Sequence, residues 1–196
     1  MFTQGDTTLL DHPKILAVVG SRNVPDAALL WARQTAQEAA ESGWVIISGL
    51  ARGCDLAGHL GCYKGQGRTI AAIATDFDHF YPPEHEKLQR RIGERDLLLS
   101  FTPKGQEAHA GRFVARNSLI ARYAHAVLIP WADAKSGSRH VAQAAIRDGK
   151  PLFIGPDCPL HPWMGSQAIR VLSMAEIILP ERPEPVPDLL DAFNFF

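Results

Sequence analysis

Apolar residues fall along this chain in two alternating rhythms. Short unbroken runs have the length of buried strands: residues 14–20 (KILAVVG), 44–49 (WVIISG), 68–74 (RTIAAIA), 97–101 (LLLSF), 126–131 (AVLIPW) and 151–155 (PLFIG). Between them the spacing turns helical. Residues 25–42 carry Leu29, Leu30, Ala32, Ala36, Ala39 and Ala40, with Pro25 near the first turn and Gly43 just past the last. A shorter helix is expected over 55–63 and a polar one over 84–94, behind Tyr81-Pro82-Pro83. Phe113, Leu119, Ile120 and Tyr123 mark a helix before the fifth run, and another follows the turn ADAKSGSR. Residues 164–172 read as a last helix and 175–180 as a last strand.

Continuous apolar strands separated by helices predict a parallel sheet covered on both faces. Right-handed crossovers make this an α/β, doubly wound, mostly parallel, Rossmann-like fold of three layers. The expected division is an N-terminal extension over 1–13, the Rossmann-like domain over 14–180 and a tail over 181–196. Residues 176–196 hold five acids and one arginine and end in Phe193, Phe195 and Phe196. Such an acidic, aromatic peptide suits either docking on a partner or folding back onto its own core.

Composition narrows the class. With 46% apolar and 21% charged residues among 196, the chain reads as one soluble globular domain. No apolar run reaches the length of a membrane span, and the N-terminus does not read as a secretory signal. Cys54, Cys62 and Cys158 are odd in number and form no CxxC, as expected of buried or inert thiols in a reducing cytoplasm. A net charge of −1 argues against coating nucleic acid with the whole surface, but not against a local basic pocket. Residues 111–153 hold seven basic residues (Arg112, Arg116, Arg122, Lys135, Arg139, Arg147, Lys150) against Asp133 and Asp148, a local balance of +5.

In a doubly wound sheet, ligands sit beyond the carboxyl ends of the strands. That rule gathers Gly20-Ser21-Arg22, the loop with Ser48, Gly49, Arg52 and Gly53, Thr75-Asp76, and the turn Lys135-Ser136-Gly137-Ser138. Free N–H groups at a helix start, with small residues and a lysine beside them, suit an anion. Arg52 has the geometry for a bidentate phosphate pair. Arg112 and Arg116 share a helix face, and Asn117 beside them suits a base edge or the pocket rim. A generic turn at Gly20 and a solvated face at the arginines are the plainer alternatives. Asp55 and His59, four apart, read best as a capping acid and a hydrogen-bonded histidine. Phe80, Tyr81, Phe113, Tyr123 and Trp131 are either stacking platforms or core. His79 and His85 flank one turn, but no HExxH supports zinc, and neither GxGxxG, GxxxxGK[ST] nor GxSxG occurs.

The motifs GSR, SGLARGCDLAGH, YPPEHEKL, RFVARNSLIARYAHAVLIPWADAKSGSRHVAQAA and PLFIGP, in this order, resemble the DNA-processing protein A (DprA, or Smf) family within the SLOG group of Rossmann-like domains. The similarity covers roughly residues 15–156. It implies a basic pocket for single-stranded DNA, a homodimer, cooperation with RecA in recombination and natural transformation, and no catalysis or cofactor. Three positions depart from the family's usual forms: Ser118 stands for Arg, Cys54 for Ile and His85 for Asn. The segment LLLSF also lacks the Ser-Glu that the family tends to place after its fourth strand. The helical and winged-helix domains that many members carry are not expected here. Another reading within the same group is a sensor or binder of a small nucleotide-derived ligand, in stress or phage defence. A phosphoribohydrolase is disfavoured, because ADAKSGSRHVAQ lacks the PGGxGTxxE pattern of that family.

Overall fold

A computed structural model describes residues 1–106 and 108–177. Its centre is an eight-stranded sheet: β1 (Phe2–Gly5), β2 (Ile15–Val18), β3 (Val45–Ser48), β4 (Thr69–Ile73), β5 (Leu97–Ser100), β6 (Ala126–Ile129), β7 (Leu152–Ile154) and β8 (Ile169–Arg170). The strands lie in the order β1-β5-β4-β3-β2-β6-β7-β8. Only the β1–β5 pair is antiparallel, with Phe2 opposite Ser100; the others are parallel, with Ile15 opposite Val45 and Leu16 opposite Ala126. β2 to β7 are buried at every position, which is why their sequences run apolar without alternation.

Five helices link the strands: α1 (Asp26–Glu41), α2 (Cys54–Lys64), α3 (Glu86–Arg95), α4 (Ala110–Tyr123) and α5 (Arg139–Arg147). One core gathers Ile15, Ala17, Ile47, Ile70 and Leu99 with Leu119 and Ile120 of α4 and Val141 and Ala145 of α5. On the other face, Leu16, Val18 and Ile46 meet Ala36 and Ala39 of α1, while Ala71, Ile73 and Leu98 meet Ile92 of α3. Each large aliphatic side chain fully buried here contributes about 1.5–3 kcal/mol by leaving water. The result is the three-layered α/β sandwich that the sequence predicts.

Three stretches differ from expectation. Residues 164–172 form no helix: a 3-10 turn (Pro162–Met164) ends at Gly165, whose φ of +68° breaks the path, and β8 follows. Arg170 fixes that strand by donating to the carbonyls of Gly155 (2.7 Å), Pro156 and Cys158 (2.9 Å). Of the strand expected over 175–180, residues up to 176 belong to a 3-10 turn (Met174–Glu176), and 178–180 lie outside the described residues, as does the acidic tail. Within the expected N-terminal extension, Phe2–Gly5 adds β1 to the sheet. All four residues are exposed, so no apolar pattern announces them.

Candidate nucleic-acid interface

β2 and β6 lie side by side, yet the chain leaves them in opposite directions: β2 to β5 build one wing of the sheet and β6 to β8 the other. Loops diverging at such a switch point leave a crevice beyond the strand ends. Here it is a cavity of about 420 Å³, reached by the loops after β2, β3 and β6 and by α4.

The loop after β2 supplies Gly20, Ser21, Arg22 and Asn23 to the wall. Ser21 is buried; its hydroxyl donates to Asp133 Oδ2 and accepts from Asp133 N–H, both at 2.9 Å, lashing this loop to the one after β6. Arg22 is exposed at the mouth. Its guanidinium lies 5.8 Å from the centre of the Tyr81 ring and 5.6 Å from that of Phe113, and the two rings meet edge to face at 5.2 Å. Such cation–π contacts hold a flexible cation in place while its edge stays open to an anion.

The loop after β6 supplies Lys135, Ser136, Gly137 and Ser138. Asp133 Oδ1 accepts from Lys135 N–H at 2.9 Å, an Asx turn that leaves the lysine side chain exposed. The Ser136 and Ser138 hydroxyls share a 2.8 Å hydrogen bond just before α5 begins, and Ser136 to Ser138 with Val141 place the start of that helix in the cavity wall. Contrary to the expectation of free donors, the N–H groups of Ser136, Ser138, Arg139 and His140 are bonded within the turn, which leaves the helix dipole as the contribution of this end. Asn117 Nδ2 donates to Gly137 O at 3.3 Å and joins α4 to the same loop.

Arg116 forms part of the cavity wall but is only 6% exposed. Its Nη1 lies 3.7 Å from Asp55 Oδ2 and donates to Ala72 O at 3.2 Å; Nε has no hydrogen-bond partner among the described residues. Burial pulls the Arg116 pKa down and pushes that of Asp55 up, and in each case the opposite charge works against burial. This pair links α4 on one face of the sheet to α2 on the other. Gly49 makes the crossing possible, because a Cβ there would come within 1.4 Å of Arg116 Nη1.

Five of the expected contact residues stand outside the cavity wall. Ser48 is buried, with its hydroxyl on Val18 O at 2.5 Å, and Gly49 accommodates Arg116. Arg52 pairs with Glu84 at 2.6 Å. Gly53 starts α2 at φ +75°, where a Cβ would come 2.3 Å from Ser21 O. Arg112 is bonded to Gln106. The sequence reading did not single out Asn23 or Asp133; the D-x-K spacing of an Asx turn was the available signal for Asp133. Asp55 does not cap its helix through its side chain, but anchors Arg116 and accepts from Ala51 N–H at 3.4 Å. His59 is fully buried and bonded to Thr69 Oγ1 at 2.8 Å. Among the described residues no cluster of three His, Cys, Asp or Glu side chains has the geometry of a metal site. His79 bonds Asp76 and His85 bonds Leu50 O.

The profile of the family described as DNA recombination-mediator protein A matches residues 1–181. The chain belongs to this family. DNA processing protein DprA of Bacillus subtilis is 33% identical over 190 residues, 94% of this chain and 64% of that one. DprA of Streptococcus pneumoniae is 36% identical over 80% of this chain and 55% of its own length. The chain therefore spans less than two thirds of these relatives. A structure of the Helicobacter pylori DprA, described for its single-stranded DNA binding mode, superposes with a TM-score of 0.80 at 31% identity, covering 88% of this chain and 82% of that one. Against this DprA background the three departures have local explanations. Ser118 is exposed, with its hydroxyl on Ala115 O. Cys54 is buried against Trp131 O at 3.5 Å, and His85 ties its turn to Leu50.

Proposed function

We propose that this chain binds single-stranded DNA in the β2/β6 crevice and acts in DNA processing and recombination without chemical turnover. The observation that carries the reading is the convergence of Arg22, Lys135 and Arg116 on one cavity whose two carboxylates are already engaged. Asp55 faces Arg116, and Asp133 accepts from Ser21 and Lys135, so neither acts as a free general base. Phosphates would meet Arg22, Lys135 and the start of α5, and a base would stack on Tyr81, which is 42% exposed beside the mouth. Homodimer formation and cooperation with RecA are part of the proposal by family membership; sedimentation and co-purification with RecA test them. Cytoplasmic residence accords with Cys54, Cys62 and Cys158, all buried, unpaired and poorly ionised. No helix among the described residues is long and apolar enough to cross a membrane.

A cavity of about 420 Å³ also suits one small nucleotide-derived ligand, which gives a second reading. Competition separates the two. Displacement of a labelled oligonucleotide by unlabelled oligonucleotide, but not by mononucleotides at similar concentration, supports the DNA reading. Failure of any oligonucleotide to bind, with tight binding of a mononucleotide, replaces it by the second.

A further inference from the structure

Outside the crevice, the exposed face of α3 carries a row that the proposed pocket does not use. Lys87, Arg91 and Arg95 recur every four residues, so they stand in line on one side of the helix, about 6 Å apart along its axis. All three are exposed, whereas Gln89, Ile92 and Gly93 on the other side are buried. Among the described residues none of the three is in an ion pair, although the next row is balanced internally, Arg90 lying 2.9 Å from Glu86. Like charges at this spacing destabilise a helix unless something opposite covers them.

The row is also held in place. The Tyr63 hydroxyl donates to the buried Asp96 at 2.7 Å, which fixes the ring. Arg91 and Arg95 lie over that ring, 4.6 and 5.4 Å from its centre. Two guanidiniums immobilised on one aromatic surface lose less freedom on binding an anion than mobile ones do. The row starts close along the chain to the crevice mouth: Tyr81 touches both Arg22 and Phe113 and belongs to the turn that enters α3, on whose neighbouring row Arg90 lies 4.6 Å from the Phe80 ring centre.

We infer that the Lys87–Arg91–Arg95 row is a second contact strip for single-stranded DNA, taking the phosphates of the strand as it leaves the crevice over Tyr81. The inference rests on the DNA reading of the crevice. A repeat of about 6 Å is close to the interval between successive phosphates on an extended strand. Strips of this kind add affinity without base preference.

The test compares a short oligonucleotide, sufficient for the crevice, with a longer one, using the full chain and the variant Lys87→Gln/Arg91→Gln/Arg95→Gln. Thermal unfolding checks that the variant is folded. The short oligonucleotide should bind both proteins equally. The longer one should lose its extra affinity in the variant, and its slope of log K against log salt should fall by about 2, three contacts at about 0.7 each. If the triple variant does not fold, Lys87→Gln alone should lower that slope by about 0.7. Unchanged affinity and slope for the longer oligonucleotide, with the short one still bound, would overturn the strip and leave the crevice standing. Loss of poly-glutamate peptide binding in the variant, with affinity for the longer oligonucleotide unchanged, would make the row a protein-docking face and also overturn the strip. No binding of either oligonucleotide to the unmodified chain would overturn both.

Discussion

The long net-positive stretch over residues 111–153 and the exposed basic row on α3 are different regions. Of the seven cations in residues 111–153, Arg116 is buried against Asp55, Arg147 pairs with Asp148, and Arg112 is bonded to Gln106. Lys150 caps α4 by donating to Ala121 O and Arg122 O at 2.7 and 2.9 Å. Arg122, Lys135 and Arg139 stay exposed, but on α4, a loop and α5. On α3, four basic and two acidic residues among ten leave three cations aligned and exposed. Charge counted along a chain measures what the fold has to place, while surface potential depends on what remains after pairing, burial and capping.

This contrast is open to direct attack, starting with the largest expected effects. Arg116→Ala leaves the buried Asp55 without its partner and should destabilise the fold by about 3–5 kcal/mol in urea unfolding. Lys87→Gln on α3 should stay within about 0.5 kcal/mol. Similar losses from the two would erase the distinction between buried and displayed charge. His59 sharpens the same point through pH. Burial above all, and then the His85 and Arg116 charges, push its pKa from 6.5 down to about 3, so the folded state keeps it neutral. Between pH 6.5 and 3 the unfolded chain takes up a proton that the folded chain refuses. Stability should therefore be full above 6.5 and fall by about 1.4 kcal/mol per unit below it. His59→Leu should remove that part of the acid sensitivity, seen as a flatter dependence of the unfolding midpoint on pH. Next comes Gly49→Ala, which crowds Arg116 and should cost about 1–3 kcal/mol while weakening oligonucleotide binding through the displaced guanidinium.

Much of the fold was legible because its strands are buried on both faces. The runs KILAVVG, WVIISG and RTIAAIA need no partner to be recognised. β1 was not legible, since an edge strand with four exposed residues has no core side to mark. The helix expected over 164–172 fails at Gly165 and at Arg170, whose carbonyl partners are 12 to 15 residues back along the chain. In the site, the loops after β2 and β6 were legible from small residues placed after apolar runs. The burial of Arg116 was not, because it depends on Gly49 and Asp55, which lie on other elements far away in sequence. Nor does the sequence separate Tyr81 at the mouth from Tyr123, whose ring lies beneath Arg122 at 5.7 Å.

The measurement that tests the central claim most directly is fluorescence anisotropy of a short labelled single-stranded oligonucleotide across a salt series, with the unmodified chain and Arg22→Ala/Lys135→Ala. Both substituted residues are exposed at the crevice, so the fold should survive their loss. Saturable binding that weakens steeply with salt is expected, with lower affinity and a slope reduced by about 1.4 in the double variant, two phosphate contacts at about 0.7 each. Equal affinity and equal slope for the two proteins would contradict the assignment of the crevice as the DNA site.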